Sequence, residues 1–347
     1  MRAYPDGVNP SAAGPLVDSF GRRVKDLRIS VTDRCNFRCT YCMPEEGMQW
    51  LPRDEVLTYE ELARIATVCV RRFGFEAIRI TGGEPTVRAH LPRLVGMLAP
   101  LGVDLAMTTN GVRLPQLAHD LASAGLRRVN VSLDSLRPEV FRSLTRRDEL
   151  PRVLAGIDAA IDAGLDPVKV NCVVMRGVNE DEVVDLAAFG RDRGVGMRFI
   201  EFMPLDADGS WRLDDVVPAA EILERVDAVF PLDRSARGVD GGSPEPATTF
   251  PYADGRGDVG VIASVTQPFC GDCDRVRVTA EGGFRTCLFA LEEHDLRDVL
   301  RSGLEGDALD DALARAVEAA VATKWAGHSI GRVEFVRPKR SMSQIGG

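Results

Sequence analysis

Histidine and aromatic residues are scarce in this chain: four His, three Trp and four Tyr occur in 347 residues, and Phe, Trp and Tyr together make up 6% of it. No apolar run approaches the ~18 residues of a membrane-spanning helix. Met1 to Gly21 contains Pro5, Pro10 and Pro15 but no apolar stretch resembling the core of a signal peptide. Residues 1–21 therefore read as a disordered leader, and the protein as cytoplasmic, with no membrane partner. A surplus of positive charge is also missing. Forty-three Lys and Arg against 52 Asp and Glu give a net charge of −9. That balance gives no general attraction to nucleic acid, so any anion site must be a local cluster of cations. Eight cysteines are too sparse for a disulfide scaffold. Internal repeats and low-complexity tracts are absent, and a hydrophobic content of 45% with 27% charged residues is ordinary for a globular protein.

The cysteines that are present are not scattered. Cys69 falls in a helical run and Cys172 in a strand-like run, where small buried thiols pack well; the other six form two groups. Cys35, Cys39 and Cys42 follow a C-x3-C-x2-C spacing. Iron–sulfur clusters are held by cysteine thiolates, and a cubane cluster normally takes four. A loop offering three leaves one iron open to a ligand that is not protein, and an open position separates a reactive metal site from a structural one. The competing reading is a zinc knuckle, but no His or fourth Cys lies nearby, and Tyr41 between two cysteines suggests a loop shaped around something larger than an ion.

The second group, Cys270, Cys273 and Cys287, has the spacing C-x2-C-x13-C. Alone it reads as a zinc site with His294 or His328 as fourth ligand; beside the first triplet it reads as a second cluster with an open iron. Arg275 and Arg277 follow directly, and period-two alternation in a strand puts both on one face, with Val276 on the other. Two guanidiniums beside a metal site make a phosphate clamp, although a solvated strand face also often carries Arg.

From Leu27 to Met203 the pattern alternates short β-rich runs with amphipathic segments. Strands are predicted at 27–32, 77–81, 104–108, 128–132, 168–174 and 196–201. Helices are predicted at 58–73 (opened by a Thr58/Glu61 capping box), 91–99, 118–123, 153–162 and 183–192. About six βα units with short connections predict a parallel sheet with right-handed crossovers. Strand ends rich in polar residues favour a partial TIM-type β/α barrel, in which these ends converge on one rim. They include Thr32, Thr81 to Pro85, Thr108 to Gly111, Ser132 to Asp134 and Glu201 with Met203. A dinucleotide fold lacks its G-x-G-x-x-G after the first strand. Arg28, Arg79 and Lys169 sit inside strands that should be buried, where an unpaired charge is costly, so they call for an anionic ligand. After Met203 come a helix at 218–230, a Gly- and Pro-rich loop at 238–258, short strands at 259–265, 276–280 and 284–287, and a helix at 308–325. The expected division is a barrel over 22–210 and a smaller α+β iron–sulfur region over 211–347.

The Cys35–Cys42 loop resembles the signature of the radical S-adenosylmethionine (SAM) enzymes. Further segments narrow the resemblance to the GTP 3′,8-cyclase family: Leu27–Ser30, Ile78–Pro85, Thr108–Gly111, Asn130–Asp134, the second cysteine group and the tail Pro338–Gly347. This resemblance implies two 4Fe-4S clusters and S-adenosyl-L-methionine as cofactors, the first cluster on Cys35, Cys39 and Cys42 and the second on Cys270, Cys273 and Cys287. SAM contacts are implied at Tyr41, Gly83, Ser132 and Met203, and GTP contacts at Arg28, Arg79, Thr108, Lys169, Arg275, Val276 and Arg277. The Gly-Gly tail is implied to reach the active site. The implied reaction is a radical attack on GTP, with hydrogen abstraction at the ribose C3′ and bond formation to guanine C8, giving (8S)-3′,8-cyclo-7,8-dihydroguanosine 5′-triphosphate for molybdenum cofactor biosynthesis. That step needs no general base, which suits the scarcity of histidine. A flavodoxin- or ferredoxin-type reductant is the implied partner, with room for a homodimer. Asp274 departs from the Asn expected in the family, and pairing with Arg275 or Arg277 would accommodate it. Two other readings stay open on the residues alone: another two-cluster radical SAM enzyme such as a peptide-modifying maturase, and a non-catalytic zinc module.

Overall fold

The structure, a computed structural model, describes residues 14–206, 208–236, 238, 246–332 and 335–346. Most of the expected leader, part of the 238–258 loop and Gly347 lie outside the described residues. Among the described residues one sheet of eleven strands organises the chain: β1 (Asp26–Ser30), β2 (Ala77–Thr81), β3 (Asp104–Thr109), β4 (Arg128–Ser132), β5 (Val168–Val174), β6 (Gly196–Glu201), β7 (Thr248–Pro251), β8 (Asp258–Ile262), β9 (Arg275–Val278), β10 (Gly283–Arg285) and β11 (His294–Asp295). Their spatial order is β11-β10-β9-β1-β2-β3-β4-β5-β6-β8-β7. Strands β1 to β6 are parallel in chain order, β9 joins β1 and β8 joins β6, both parallel, and the outermost strands are antiparallel. This is the expected partial β/α barrel, with segments from beyond residue 210 extending both ends of its sheet.

Alternation within the strands decides what each face does. Leu27 and Ile29, Ile78 and Ile80, Leu105 and Met107, Val129 and Val131, Val168 and Val170, and Met197 and Phe199 all join the main hydrophobic core. Among the described residues ten helices accompany the sheet: α1 (Tyr59–Phe73), α2 (Leu91–Leu98), α3 (Leu114–Ser123), α4 (Pro138–Thr145), α5 (Leu150–Asp162), α6 (Val183–Arg193), α7 (Ala219–Asp227), α8 (Arg297–Leu300), α9 (Gly306–Ala322) and α10 (Met342–Ile345). Their apolar residues, such as Leu62 and Ile65 of α1 and Leu313 and Val317 of α9, complete that core. The alternate strand positions carry Arg28, Arg79, Thr108, Asn130, Lys169 and Arg198, which line the barrel interior. A closed β/α barrel fills its interior with branched apolar side chains; this one keeps a polar, cationic interior and leaves room for ligands.

The capping box at α1 is formed, Glu61 N donating to Thr58 Oγ1 at 3.1 Å and Thr58 N to Glu61 Oε2 at 2.7 Å. Three sequence expectations need correction. The 238–258 stretch is not all loop, because Thr248–Pro251 pairs with β8 as an edge strand, its Pro at the last position where no ladder donor is needed. Helix α4 was not foreseen: its short pattern opens on Arg137-Pro138, and Pro suits the first helical turn. Glu201 and Thr32 are absent from the lining of the interior cavity. Glu201 is instead a buried staple: its carboxylate accepts from the main-chain N–H groups of Ala219, Val265 and Thr266 at 2.8 Å each, joining β6 to α7 and to the turn after β8. Among the described residues no helix is long and apolar enough to cross a membrane.

Replacing Glu201 with Ala removes the acceptor of three main-chain N–H donors, the buried Ala219 among them, each charge-assisted bond contributing roughly 1.5–3 kcal/mol. Glu201→Ala is expected to lower unfolding stability by about 3 kcal/mol or more in chemical denaturation; a change below 1 kcal/mol would show that the staple contributes little.

Candidate active site

The cavity inside the barrel is lined by both cysteine triads, by Tyr41, Gly83, Ser132 and Met203, and by Arg28, Arg79, Thr108, Lys169, Arg275 and Arg277. Of the expected site residues only Val276 is missing from that lining. It is fully buried in the main core, because alternation in β9 turns its side chain away from its two arginine neighbours. This is the opposite face that period-two alternation predicted for it, and only its main chain is left to meet a ligand.

The first triad sits on the loop after β1. Two main-chain bonds from Cys42 N and Met43 N to Cys39 O, both 2.9 Å, curl the loop. The segment after β2 presses against it: a Cβ on Gly83 would fall 2.5 Å from the carbonyl oxygens of Asp33 and Arg34, so only glycine lets these two segments approach. Glu84 is fully occupied within the protein, accepting from Thr86 N, Thr86 Oγ1, Thr109 Oγ1 and Asn110 N at 2.5–3.0 Å. It acts as a buried hub that fixes the loops after β2 and β3. Tyr41 donates its hydroxyl to Asp134 Oδ2 at 2.5 Å, and Asp134 Oδ1 accepts from Val173 N at 2.9 Å. Burial pushes the Cys35 thiol up to about 12 and Cys42 up to about 11, and raises Cys39 well above the usual thiol range.

The second triad is built differently. Cys270–Asp272 forms a 3₁₀ turn leading into β9, and Cys287 follows β10. Burial would raise the Cys273 thiol, but Arg275 and Lys324 more than offset it, and the thiol falls to about 7. Neither histidine offers itself as a zinc ligand. His294 stands outside the cavity with Nε2 3.2 Å from Thr323 Oγ1. His328 lines the cavity, but its Nδ1 accepts from Ile330 N at 3.4 Å and its ring leans on Phe289 at 5.0 Å. Among the described residues no three His, Cys, Asp or Glu side chains converge tightly enough for a single metal ion. Two sulfur triads that share a cavity, spread too widely for one ion, fit groups of cluster size whose ligands are all thiolates.

Arg28, Arg79 and Arg277 of the same cavity belong to a row of like charges across the sheet. Arg28 is in register with Arg79 on one side and with Arg277 on the other, and Arg277 with Arg285. All four arginines are buried. Arg285, in contact with Glu293, is neutralised within the protein. Arg28 Nε has no hydrogen-bond partner among the described residues. Burial, then the charges of Arg277, Arg79 and Arg275, hold Arg28 well below the ordinary arginine range; burial and Arg275 bring Arg277 down to about 9. Arg275 lies over the Phe269 ring, 4.6 Å from its centroid. Arg277 donates to Gly346 O, and a Cβ on Gly346 would fall 2.5 Å from Thr81 Oγ1, so the tail enters the barrel as expected. Asp274, expected to pair with Arg275 or Arg277, forms an ion pair with neither among the described residues: its Oδ2 is buried without a hydrogen bond, and burial with the nearby Asp26 pushes its carboxyl up to about 6 although the charge of Arg275 acts to lower it. Sequence reasoning passed over Arg198, which is 3% exposed on β6, lines the cavity and pairs with Asp258 at 2.5 Å. The rule that singled out Arg28 and Arg79, a charge inside a buried strand, would have found it.

Asp134 generates a pH prediction. Burial raises its carboxyl to about 6 from an ordinary 3.8, so the folded state binds its proton more tightly than the unfolded state. The contribution of Asp134 to stability is then largest below pH 4 and is lost as pH rises toward 6, by about 2–3 kcal/mol for a shift of this size. Asp134→Asn should flatten that part of the stability–pH curve in denaturant titrations; an unchanged slope would assign the loss to other groups.

Comparisons with known proteins agree with this arrangement. Residues 29–190 match the family model described as Radical SAM superfamily, and residues 195–330 the one described as Molybdenum Cofactor Synthesis C. A GTP 3′,8-cyclase from Acidothermus cellulolyticus is 54% identical over 87% of this chain and 84% of its own. Those of Rhodopirellula baltica and Streptomyces coelicolor are 48% and 49% identical, over 99% and 96% of this chain and 95% and 96% of theirs. The fold is shared with Streptococcus suis SuiB bound to S-adenosylmethionine, at a TM-score of 0.60 and 14% identity over 90% of this chain and 68% of that one. With both halves matched and close relatives aligned along almost its full length, the chain belongs to the GTP 3′,8-cyclase family of the radical SAM superfamily.

Proposed function

We propose that this protein converts GTP to (8S)-3′,8-cyclo-7,8-dihydroguanosine 5′-triphosphate, the first step of molybdenum cofactor biosynthesis. The observation that carries this reading is the placement of two cysteine triads on one cavity together with the in-register Arg79, Arg28 and Arg277. In this reading Cys35, Cys39 and Cys42 hold the first 4Fe-4S cluster, and Cys270, Cys273 and Cys287 the second. When bound, the first cluster with SAM supplies the hydrogen-atom abstraction at the ribose C3′ from which the bond to guanine C8 follows.

The chain's own residues bind, orient and exclude. Gly83 brings main chain close to the cysteine loop, Tyr41 is pinned by Asp134, and Ser132 and Met203 complete the SAM side of the cavity. Arg28, Arg79, Lys169, Arg275 and Arg277 face the triphosphate, with Thr108 and the main chain of Val276 beside them. Guanidiniums suit this role because they donate two parallel bonds to phosphate oxygens. The barrel wall and the inserted tail keep water from the reacting carbon. In this reading the chain divides into 22–210, the barrel that carries the SAM chemistry and part of the triphosphate site, and 211–347, which carries the second cluster and the Gly-Gly tail. A flavodoxin- or ferredoxin-type reductant and a cytoplasmic setting accompany this reading.

Reduced, anaerobically reconstituted protein incubated with SAM and GTP is expected to yield 5′-deoxyadenosine and a cyclised GTP product in matching amounts; 5′-deoxyadenosine without a GTP-derived product contradicts the assignment. Arg277→Ala is expected to weaken GTP binding roughly 10- to 100-fold, the loss of one charge-assisted contact, with iron content unchanged. Unaltered affinity in calorimetry would remove Arg277 from the site.

A further inference from the structure

The segment from Lys324 to His328, just beyond α9, wraps behind the second cysteine triad. Lys324 is 3% exposed. Its ammonium donates to Arg275 O and to Thr286 O, each at 2.7 Å, and stands 4.0 Å from Cys273 Sγ. Arg275 lies two residues after Cys273, and Thr286 immediately precedes Cys287. One buried cation therefore joins the two chain segments that bring two of the three cysteines. Three residues on, Gly327 packs against the third, since a Cβ there would fall 2.8 Å from Cys270 Cβ and 3.2 Å from its Sγ. Arg22, held by Asp18 at 2.6 Å, closes the arrangement by donating to Cys270 O at 2.6 Å and Ala326 O at 2.8 Å.

A lysine inside a protein is costly unless its three N–H donors are used. Two of them meet carbonyls, and the sulfur is the third neighbour. No acidic partner neutralises Lys324 among the ion pairs of the described residues, so its positive charge is directed at the cysteines. Nothing in the proposed reaction accounts for it: no contact to SAM or GTP is assigned to it, and it lies outside the cavity lining.

We propose that Lys324 is a positioning residue of the second cluster, locking the Cys273 and Cys287 segments at their spacing and holding a positive charge beside the Cys273 sulfur that raises the cluster's reduction potential. Reduction adds negative charge to a cluster, and hydrogen bonds and charges at its sulfurs set its potential. Removing a neighbouring cation therefore disfavours the reduced state. The inference rests on the reading that the second triad holds a 4Fe-4S cluster.

The test uses the full chain carrying Cys35→Ala, Cys39→Ala and Cys42→Ala, so that bound iron reports only the second triad. Lys324→Met and Lys324→Gln are compared with this parent by iron and sulfide analysis, circular dichroism and a redox titration followed by electron paramagnetic resonance. Gln keeps two N–H donors without the charge. Lys324→Met is expected to keep its secondary structure, to bind less iron, and to show about a tenfold lower ratio of reduced to oxidised cluster at a fixed potential, about 59 mV for a one-electron couple. Lys324→Gln is expected to recover iron but not the potential, and it decides the question if the Met variant does not fold. Variants with the parent's iron content and midpoint overturn the inference, as does a lowered melting temperature with an unmoved midpoint. A parent that takes up no iron at Cys270, Cys273 and Cys287 overturns the two-cluster reading itself.

Discussion

Arg79, Arg28, Arg277 and Arg285 occupy one register level across four adjacent strands, and the organisation of the site follows from having to keep those charges inside a barrel. Neighbouring strands lie about 4.8 Å apart. Two like charges at that spacing repel by roughly 3 kcal/mol even at an effective dielectric constant near 20. The protein answers part of this internally: Glu293 meets Arg285, Arg275 lies on the Phe269 ring, and the Gly346 carbonyl accepts from Arg277. What is not answered internally, above all at Arg28, is a standing demand for a polyanion. The hydrophobic core between sheet and helices makes that demand tolerable, because it is large and continuous enough to hold the strands in register against the repulsion.

The same constraint separates the two cysteine triads. The first is buried, with Glu84 acting on Cys35 and Asp134 on Cys39, a setting that disfavours thiolate and raises all three thiols. The second borders the cations, and Cys273 is drawn down to about 7 by Arg275 and Lys324 against its own burial. Metal binding requires the thiolate, and in the second triad the cations favour it at Cys273, whereas burial raises the Cys270 thiol. The site is thus polar in a graded way, from carboxylates behind the first triad to guanidiniums beside the second.

Much of this was legible in the sequence because it lives in short-range pattern. Cysteine spacing marked both triads, and apolar alternation with charged interruptions marked β1 and β2 as strands with Arg28 and Arg79 turned inward. The Thr58/Glu61 cap fixed the start of α1. Resemblance to a known family added the substrate, which spacing alone could not supply. What stayed hidden depends on contacts between distant segments. Glu201 looked like a rim residue because it ends a strand, whereas its partners are Ala219, Val265 and Thr266. Lys324 falls near the end of the helix predicted at 308–325, and only the fold carries it to Cys273. The register that aligns Arg28 with Arg277 joins segments some 250 residues apart, a pairing that no local periodicity encodes.

The central claim is that the buried arginine row is relieved by the triphosphate and not by the nucleoside. Thermal unfolding of the anaerobic holoenzyme, followed with GTP, inorganic tripolyphosphate or guanosine at equal concentration, tests it most directly. The account predicts that tripolyphosphate alone raises the melting temperature, that GTP raises it further, and that both shifts shrink as salt screens the charges. A shift from guanosine as large as that from GTP, with none from tripolyphosphate, would contradict it.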